Sequence, residues 1–570
     1  MVKCSDLGNG MYQNPVLYGD YSDPDVISVR EDYYMVSSSF CNSPALPLLH
    51  SKDLVNWKVV NYICKTIPGS RYRDPVHGCG VWAPSIRFHN GEFYVYFPMP
   101  DEGIFVSKAK DPYKEWSEPV CILEGSGYID PCPFWDDDGK AYLVLAVAFS
   151  RCGQKSLLLL APMSADGMSL LGDPFCIYDG NKTENETIEG PKLYKRNNYY
   201  YIFAPAGGVK VGHQVVLRSK GINGPYEYRI VLKQGNSSVN GPHQGAWVET
   251  VFGEHFFLHF QDVYAGGRIV HMQPLIWKED WPVIGNPVEG ETYGEPVLTY
   301  KKPKTSGTVS SAPDISNAES AAKAFSPDCD DTFNGPSLGL QWQWNANLNS
   351  SWYSFSGQGG LKLNAVYKEP DRPVCDVPNL LLQKWPAPEF CCSTVIDFSE
   401  LKPGESAGIV TLGMTYAALY LTRLEDGTYS LNCLKGIQDY RKESIEKNTQ
   451  KSYNQNTSVA TEQTESVPFD NAAFQESAPE LTFQIIVEIR SYKDYLDRLD
   501  YLGRQQWARH IPQEKITLQV FYKNEKEPIT SFSIPATAGR WVGVKYGVFC
   551  CGKADVSNPG CALIKNVSVF

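Results

Sequence analysis

One local pattern recurs five times in the first 260 residues of this 570-residue chain, and it dictates a repeat architecture. Each repeat is an apolar strand that follows a turn and carries an aromatic anchor: Tyr34 in EDYYMVSS, Tyr94 in NGEFYVYF, Tyr142 in DGKAYLVL, Tyr201 in NNYYYIFA and Phe256 in GEHFFLHF. Successive anchors lie 60, 48, 59 and 55 residues apart, the length of a four-stranded sheet used repeatedly. Five such sheets packed radially make a propeller. The first strand of every blade then runs along the central axis, so equivalent early positions converge on one ring. Here the slot 11 to 13 residues before each anchor holds Asp23, Trp82, Asp130, Glu189 and His243. Three carboxylates together serve no structural need, because like charges repel and drive at least one pKa upward. In a pocket, the set reads as general acid and base chemistry.

A chain of this length is too long for one core. Short runs rich in Tyr, Val, Ile and Phe, broken by Asn-Gly, Asp-Gly and Gly-Pro turns, fill it almost throughout and make it all-β. The propeller is expected over residues 1–300, followed by a polar linker over 301–325 and a β-sandwich, jelly-roll-like, over 326–570. Residues 436–475, rich in Gln, Asn, Ser, Thr and Lys, read as a long mobile loop interrupting the sandwich.

Lys and Arg total 52 against 64 Asp and Glu, a net charge of -12 with no basic cluster, which excludes nucleic acid as a partner. No window has the length and apolarity of a membrane span, and the start of the chain lacks a signal-like run. A cytoplasmic location is expected unless a signal peptide has been removed. The 16 cysteines, including the neighbours Cys391-Cys392 and Cys550-Cys551, have no zinc spacing and read as free thiols in a reducing compartment. An oligomer is compatible with all of this.

The string NPVLYGDYSDPDV, followed by VWAPSI, YIDPCPFWDDDGKAYLV, TIEGPKLYKRNNYYYIFAPAGG and GPHQGAWVET, resembles glycoside hydrolase family 43 in order and spacing over most of residues 12–290. The resemblance implies a five-bladed propeller that hydrolyses xylosides or arabinosides with inversion, often with a carboxy-terminal β-sandwich. One departure is Lys192 after Gly190-Pro191, where relatives often have His.

Carried over residue by residue, the resemblance makes Asp23 the general base that deprotonates the attacking water. Glu189 becomes the general acid that protonates the departing oxygen. Asp130 becomes the third carboxylate, which keeps the Glu189 proton in place and orients its side chain. Inversion requires the acid and base to stand roughly 6.5 to 9.5 Å apart. Asp25 is read as structural. Trp82 offers a flat wall to a sugar's C-H face, Phe40 is a second pocket aromatic or a core residue, and Arg268 is either a two-hydroxyl clamp or a surface ion pair. His243 is the axial imidazole, bonded to Asp130 or, as in some relatives, contacting a structural calcium; one His without clustered carboxylates does not make a metal site, and no cofactor is required.

The sandwich either recruits the enzyme to polymer or narrows the active-site mouth, with Phe549 a candidate contributor to that mouth. The resulting expectation is an inverting exo-glycoside hydrolase releasing terminal β-D-xylose, α-L-arabinofuranose or both from xylan, arabinoxylan or xyloglucan oligosaccharides. The alternatives are an endo-acting, arabinanase-like hydrolase and a non-catalytic sugar-binding propeller.

Overall fold

The computed structural model describes residues 5–306, 327–357, 359–439, 459–476, 479–489, 514–522, 525–552 and 558–570. Most of the expected linker therefore lies outside the described residues. Five antiparallel sheets make the first domain, with innermost strands Asp25–Val29, Ser85–His89, Tyr128–Trp135, Lys192–Arg196 and His243–Glu249. Each innermost strand belongs to a four-stranded meander, and the fourth blade is extended by two short strands at 286–287 and 294–295.

Every aromatic anchor lies on the second strand of its blade, and its side chain enters the seam with the next blade. Tyr34 packs with Phe93 and Val95 of blade 2, Tyr94 with Leu143 of blade 3, and Tyr142 against Leu193 and Ile202 of blade 4. Tyr201 packs with Phe257 of blade 5, and Phe256 with Val26 and Met35 of blade 1. The alternation follows from the pleat: in Glu92–Met99, Phe93, Val95 and Phe97 face one seam while Tyr94 and Tyr96 face the other. Both faces are buried, so these strands read as continuous apolar runs. Blade 5 closes the ring on blade 1 through their shared core, the ends of the domain are tied where Met11–Gln13 pairs with Thr299–Lys301, and Asn14 clamps Met272 through Nδ2 to its carbonyl and Oδ1 from its N-H, both at 2.8 Å. Pairing thus carries the propeller side just past the expected boundary at 300.

Asp25 is structural, as read. Its Oδ2 accepts from Ile86 N (2.8 Å) and Arg87 Nη1 (2.7 Å) and stands 3.9 Å from the Lys192 ammonium. Lys192 itself donates to Pro84 O at 2.9 Å and Ser85 Oγ at 2.5 Å. Three innermost strands are thereby joined by a buried, paired charge cluster, the condition under which buried charges are tolerated.

Among the described residues the second domain is a sandwich of an eight-stranded and a seven-stranded sheet, with Trp344, Trp385, Leu419, Phe483 and Tyr546 in the core between them. The expected long loop over 436–475 is corrected in part. Tyr429–Asp439 and Val459–Val467 pair antiparallel in unbroken register, and Asn471–Glu476 is a short helix. The polar side chains of 461–466 are exposed on both faces of this edge strand, which composition alone mistakes for loop; 440–458 lies outside the described residues. The two domains are bonded directly: Ser43 and Trp344 exchange both main-chain hydrogen bonds, and Asn347 does the same through its amide with Ile67.

Candidate active site

A cavity of about 640 Å³ opens at one end of the propeller, lined by Asp23, Asp130 and Glu189 together with Phe40, Trp82 and Arg268. The slot residues all sit at the entrance of an innermost strand, which is why they converge. Asp23 and Asp130 adopt left-handed backbone, φ 56° and 55°, a conformation uncommon outside Gly but tolerated by Asp. In blades 4 and 5 the left-handed residue is instead Gly190 (φ 58°) or Gln244 (φ 40°). Glu189 and His243 therefore stand one residue earlier than Asp23 and Asp130, a slip that the repeat spacing of 11 to 13 residues conceals.

Both Asp23 oxygens are held. Ser38 Oγ donates to Oδ2 at 2.5 Å, and Arg268 Nη1 lies 3.1 Å from Oδ1 and 3.4 Å from Oδ2. Arg268 is buried under the ring of Phe260, 4.8 Å from its centroid. Burial opposes its charge, while Asp23, Asp262, Asp20 and Glu189 around it more than compensate. It is not a surface ion pair: the guanidinium is buried, binds Asp23 through Nη1 and lines the cavity.

Asp130 Oδ2 accepts the backbone N-H of Gly190 at 2.8 Å, so it fixes the main chain immediately beside Glu189. Burial, then the charge of Asp23, raises Asp130 to about 6. Burial, then the charge of Asp130, raises Glu189 to about 8, with Arg268 pulling the other way. The Glu189 side chain is 34% accessible, but that surface faces the cavity. Of the pair, Glu189 is the group that keeps a proton near neutrality.

His243 is fully buried, and its Nε2 approaches Glu189 Oε1 at 3.3 Å. The partner is Glu189, not Asp130 as the sequence suggested, because the one-residue slip carries the ring toward the neighbouring carboxyl. Burial and the nearby Arg268 push its pKa down to about 3, so the imidazole is neutral. Neither ring nitrogen completes a hydrogen bond in the protein. Among the described residues no three His, Cys, Asp or Glu side chains converge as metal ligands, and a lone imidazole is a poor fit to calcium, which takes six to eight oxygens.

Phe40 and Trp82 form one wall, with ring centroids 6.0 Å apart. The far side of the Trp82 ring is backed by the guanidinium of Arg151 at 5.1 Å, itself held by Asp101 at 2.8 Å. Sequence reasoning passed over Ser38, Gln244 and Phe149, although the first two adjoin residues it singled out. It also missed Trp541. This residue comes from a turn of the sandwich, has φ 66°, is 45% exposed, and lines the same cavity. Phe549, the expected contributor to the mouth, is buried on the outward face of the eight-stranded sheet against Tyr420, at 5.9 Å. The strand Lys545–Gly552 turns it away, while the turn before that strand reaches the propeller.

An acid kept protonated, an oriented carboxylate and an aromatic wall in one cavity define a glycoside hydrolase site. The model of "Glycosyl hydrolases family 43" matches residues 12–282, and that of "Beta xylosidase C-terminal Concanavalin A-like domain" matches 330–491. A protein of Xylanibacter ruminicola provisionally assigned as a β-xylosidase is 38% identical over 426 residues, 74% of each chain. A "Non-reducing end alpha-L-arabinofuranosidase" of Bacteroides ovatus is 29% identical over 71% of this chain and 74% of its own. The chain belongs to glycosyl hydrolase family 43. A xylan β-1,4-xylosidase structure from Bacillus halodurans superposes with TM-score 0.73 at 21% identity, covering 98% of this chain and 99% of that one. The likeness extends the fold match across both domains. Enzymes of this family generally need no cofactor.

Proposed function

We propose that the protein is an inverting exo-hydrolase that removes terminal β-D-xylose, α-L-arabinofuranose or both from hemicellulose oligosaccharides. The observation that carries the reading is one cavity holding Glu189 protonated near neutrality and Asp23 fixed from two sides, with a sandwich residue, Trp541, across from them.

In this reading Asp23 takes a proton from a water as its oxygen attacks the anomeric carbon. The bond to the leaving oxygen breaks, and that oxygen receives the Glu189 proton, so one proton enters at Asp23 as one leaves Glu189. Asp130 acts twice: its charge favours protonation of Glu189, and its bond to Gly190 N holds the backbone that presents it. Trp82 and Phe40 take the sugar's apolar face. The names of the relatives support both pentoses, and a wall contributed by the second domain suits chain ends better than a through groove. His243 is the residue that would face a structural calcium; an unchanged thermal midpoint with calcium and with chelator would dismiss that ion. A cytoplasmic location is supported by the absence of disulfides among the 15 described cysteines, and cell fractionation tests it.

The deciding experiment is release of 4-nitrophenol from the β-D-xylopyranoside and the α-L-arabinofuranoside, with NMR of the first-formed anomer. Turnover of either with inverted product is expected. Inactivity on both with cleavage inside arabinan would favour the endo-acting alternative, and binding without turnover would leave only a lectin-like propeller.

A further inference from the structure

The segment just before Arg268 belongs physically to the other domain. Ala265, in the propeller loop 263–267, is fully buried within the sandwich core, and its carbonyl accepts the N-H of Val544 at 2.8 Å. Backbones touch at the next position: a Cβ on Gly543 would come within 2.8 Å of Gly267 Cα. Gly267 itself has φ 78°, and a Cβ there would strike the Asp20 carboxyl at 2.6 Å. These three residues therefore meet with no space for a side chain between them.

Asp20 joins the parts. Its Oδ1 accepts the backbone N-H of Arg268 at 3.0 Å, and its Oδ2 accepts the backbone N-H of Gly543 at 3.0 Å. Its own carbonyl accepts Lys384 Nζ at 2.6 Å, from a second sandwich strand. Asp20 is 3% exposed, so its carboxylate oxygens are satisfied by the two backbone N-H groups rather than by water. Three residues further along the chain lies Asp23, to which the Arg268 guanidinium is bound. Gly543 in turn is two residues from Trp541, which lines the cavity.

We propose that Asp20 is a positioning residue that makes docking of the sandwich a condition of active-site assembly. One carboxylate ties the main chain of Arg268 to the turn that carries Trp541, so the guanidinium is set against Asp23 only when the second domain is seated. Asp20 touches no reacting atom in this scheme; it acts through Arg268. The inference rests on the reading of Arg268 as part of the substrate-binding machinery.

The test is a double-mutant cycle in the full chain, measuring kcat and KM on whichever nitrophenyl glycoside the wild type hydrolyses: wild type, Asp20→Asn, Arg268→Ala and the double variant. Asn keeps one acceptor oxygen but presents an amide donor to an N-H, so it breaks one of the two links. In the wild-type background Asp20→Asn should lower kcat/KM at least tenfold, and in the Arg268→Ala background by less than threefold. An equal loss in both backgrounds, or no loss in the first, would overturn the proposal in favour of a merely structural carboxylate. Arg268→Ala with wild-type kcat/KM would instead sink the reading of the site itself. Should Asp20→Asn fail to fold, Gly543→Ala approaches the same joint from the sandwich side and must show the same dependence on Arg268.

Discussion

The cavity has two kinds of wall. The inner-strand entrances of the propeller supply Asp23, Trp82, Asp130 and Glu189 from positions set by a repeat of roughly fifty to sixty residues, whereas the sandwich supplies Trp541 from a single turn more than 500 residues beyond Asp23. In the proposed reading, proton transfer belongs to the first wall and enclosure to the second. A rigid ring of paired strands holds side chains whose positions decide the rate. A turn docked through a few backbone hydrogen bonds is sufficient for a surface that only has to exclude the next sugar.

Removing the base should have the largest effect. Asp23→Ala takes away the group that activates water and leaves Arg268 without its partner, and kcat should fall by about 10³- to 10⁴-fold, measured on either nitrophenyl glycoside. Glu189→Ala should be nearly as damaging on xylobiose but much milder on 4-nitrophenyl xyloside, whose leaving group departs without a proton. Equal losses on the two substrates would remove Glu189 from the role of acid. Substituting Asp130→Asn deletes the charge that follows burial as a cause of the raised Glu189 pKa. Activity on xylobiose requires Glu189 protonated, so the wild type should lose it as pH rises through about 8, and the variant should lose it at lower pH. A pH profile with an unmoved alkaline limb would contradict the coupling.

The second wall should give smaller numbers. Trp541→Ala removes an aromatic face worth ~0.5–1.5 kcal/mol, so KM for short substrates should rise about two- to tenfold while kcat holds. Cleavage within longer chains should become detectable if enclosure is its role. The last effect is on stability rather than activity. Glu189 has a raised pKa in the fold, so its stabilising protonated form is complete below the ordinary carboxylate range and is lost as pH rises through about 8. Glu189→Gln should therefore melt higher than wild type at pH 9 but not at pH 5, which calorimetry at the two pH values would check.

The propeller was legible because its signal is local and repeated. Each anchor must fill the seam to the next blade, so one constraint is written five times, and the catalytic slots inherit their register from it. The slip at Glu189 and His243 was not legible, since a spacing of 11 to 13 residues cannot say which residue takes the left-handed turn. The commitment of Arg268 to Asp23 and the proximity of His243 to Glu189 escaped for the same reason. In the sandwich the strands between 390 and 423 could be read from alternation, but the polar hairpin partner at 459–467 could not.

By itself the sequence determined the all-β class, the five blades and the three carboxylates, because strand period and turn chemistry act over a few residues and repeat. Only the tertiary structure decided that Trp541 rather than Phe549 reaches the cavity, and that Asp20 ties Arg268 to the sandwich. Both facts depend on how two separately patterned domains dock, and that docking rests on single residues far apart in the chain, Asp20, Lys384, Asn347, Gly267 and Gly543, whose pairing no local period announces.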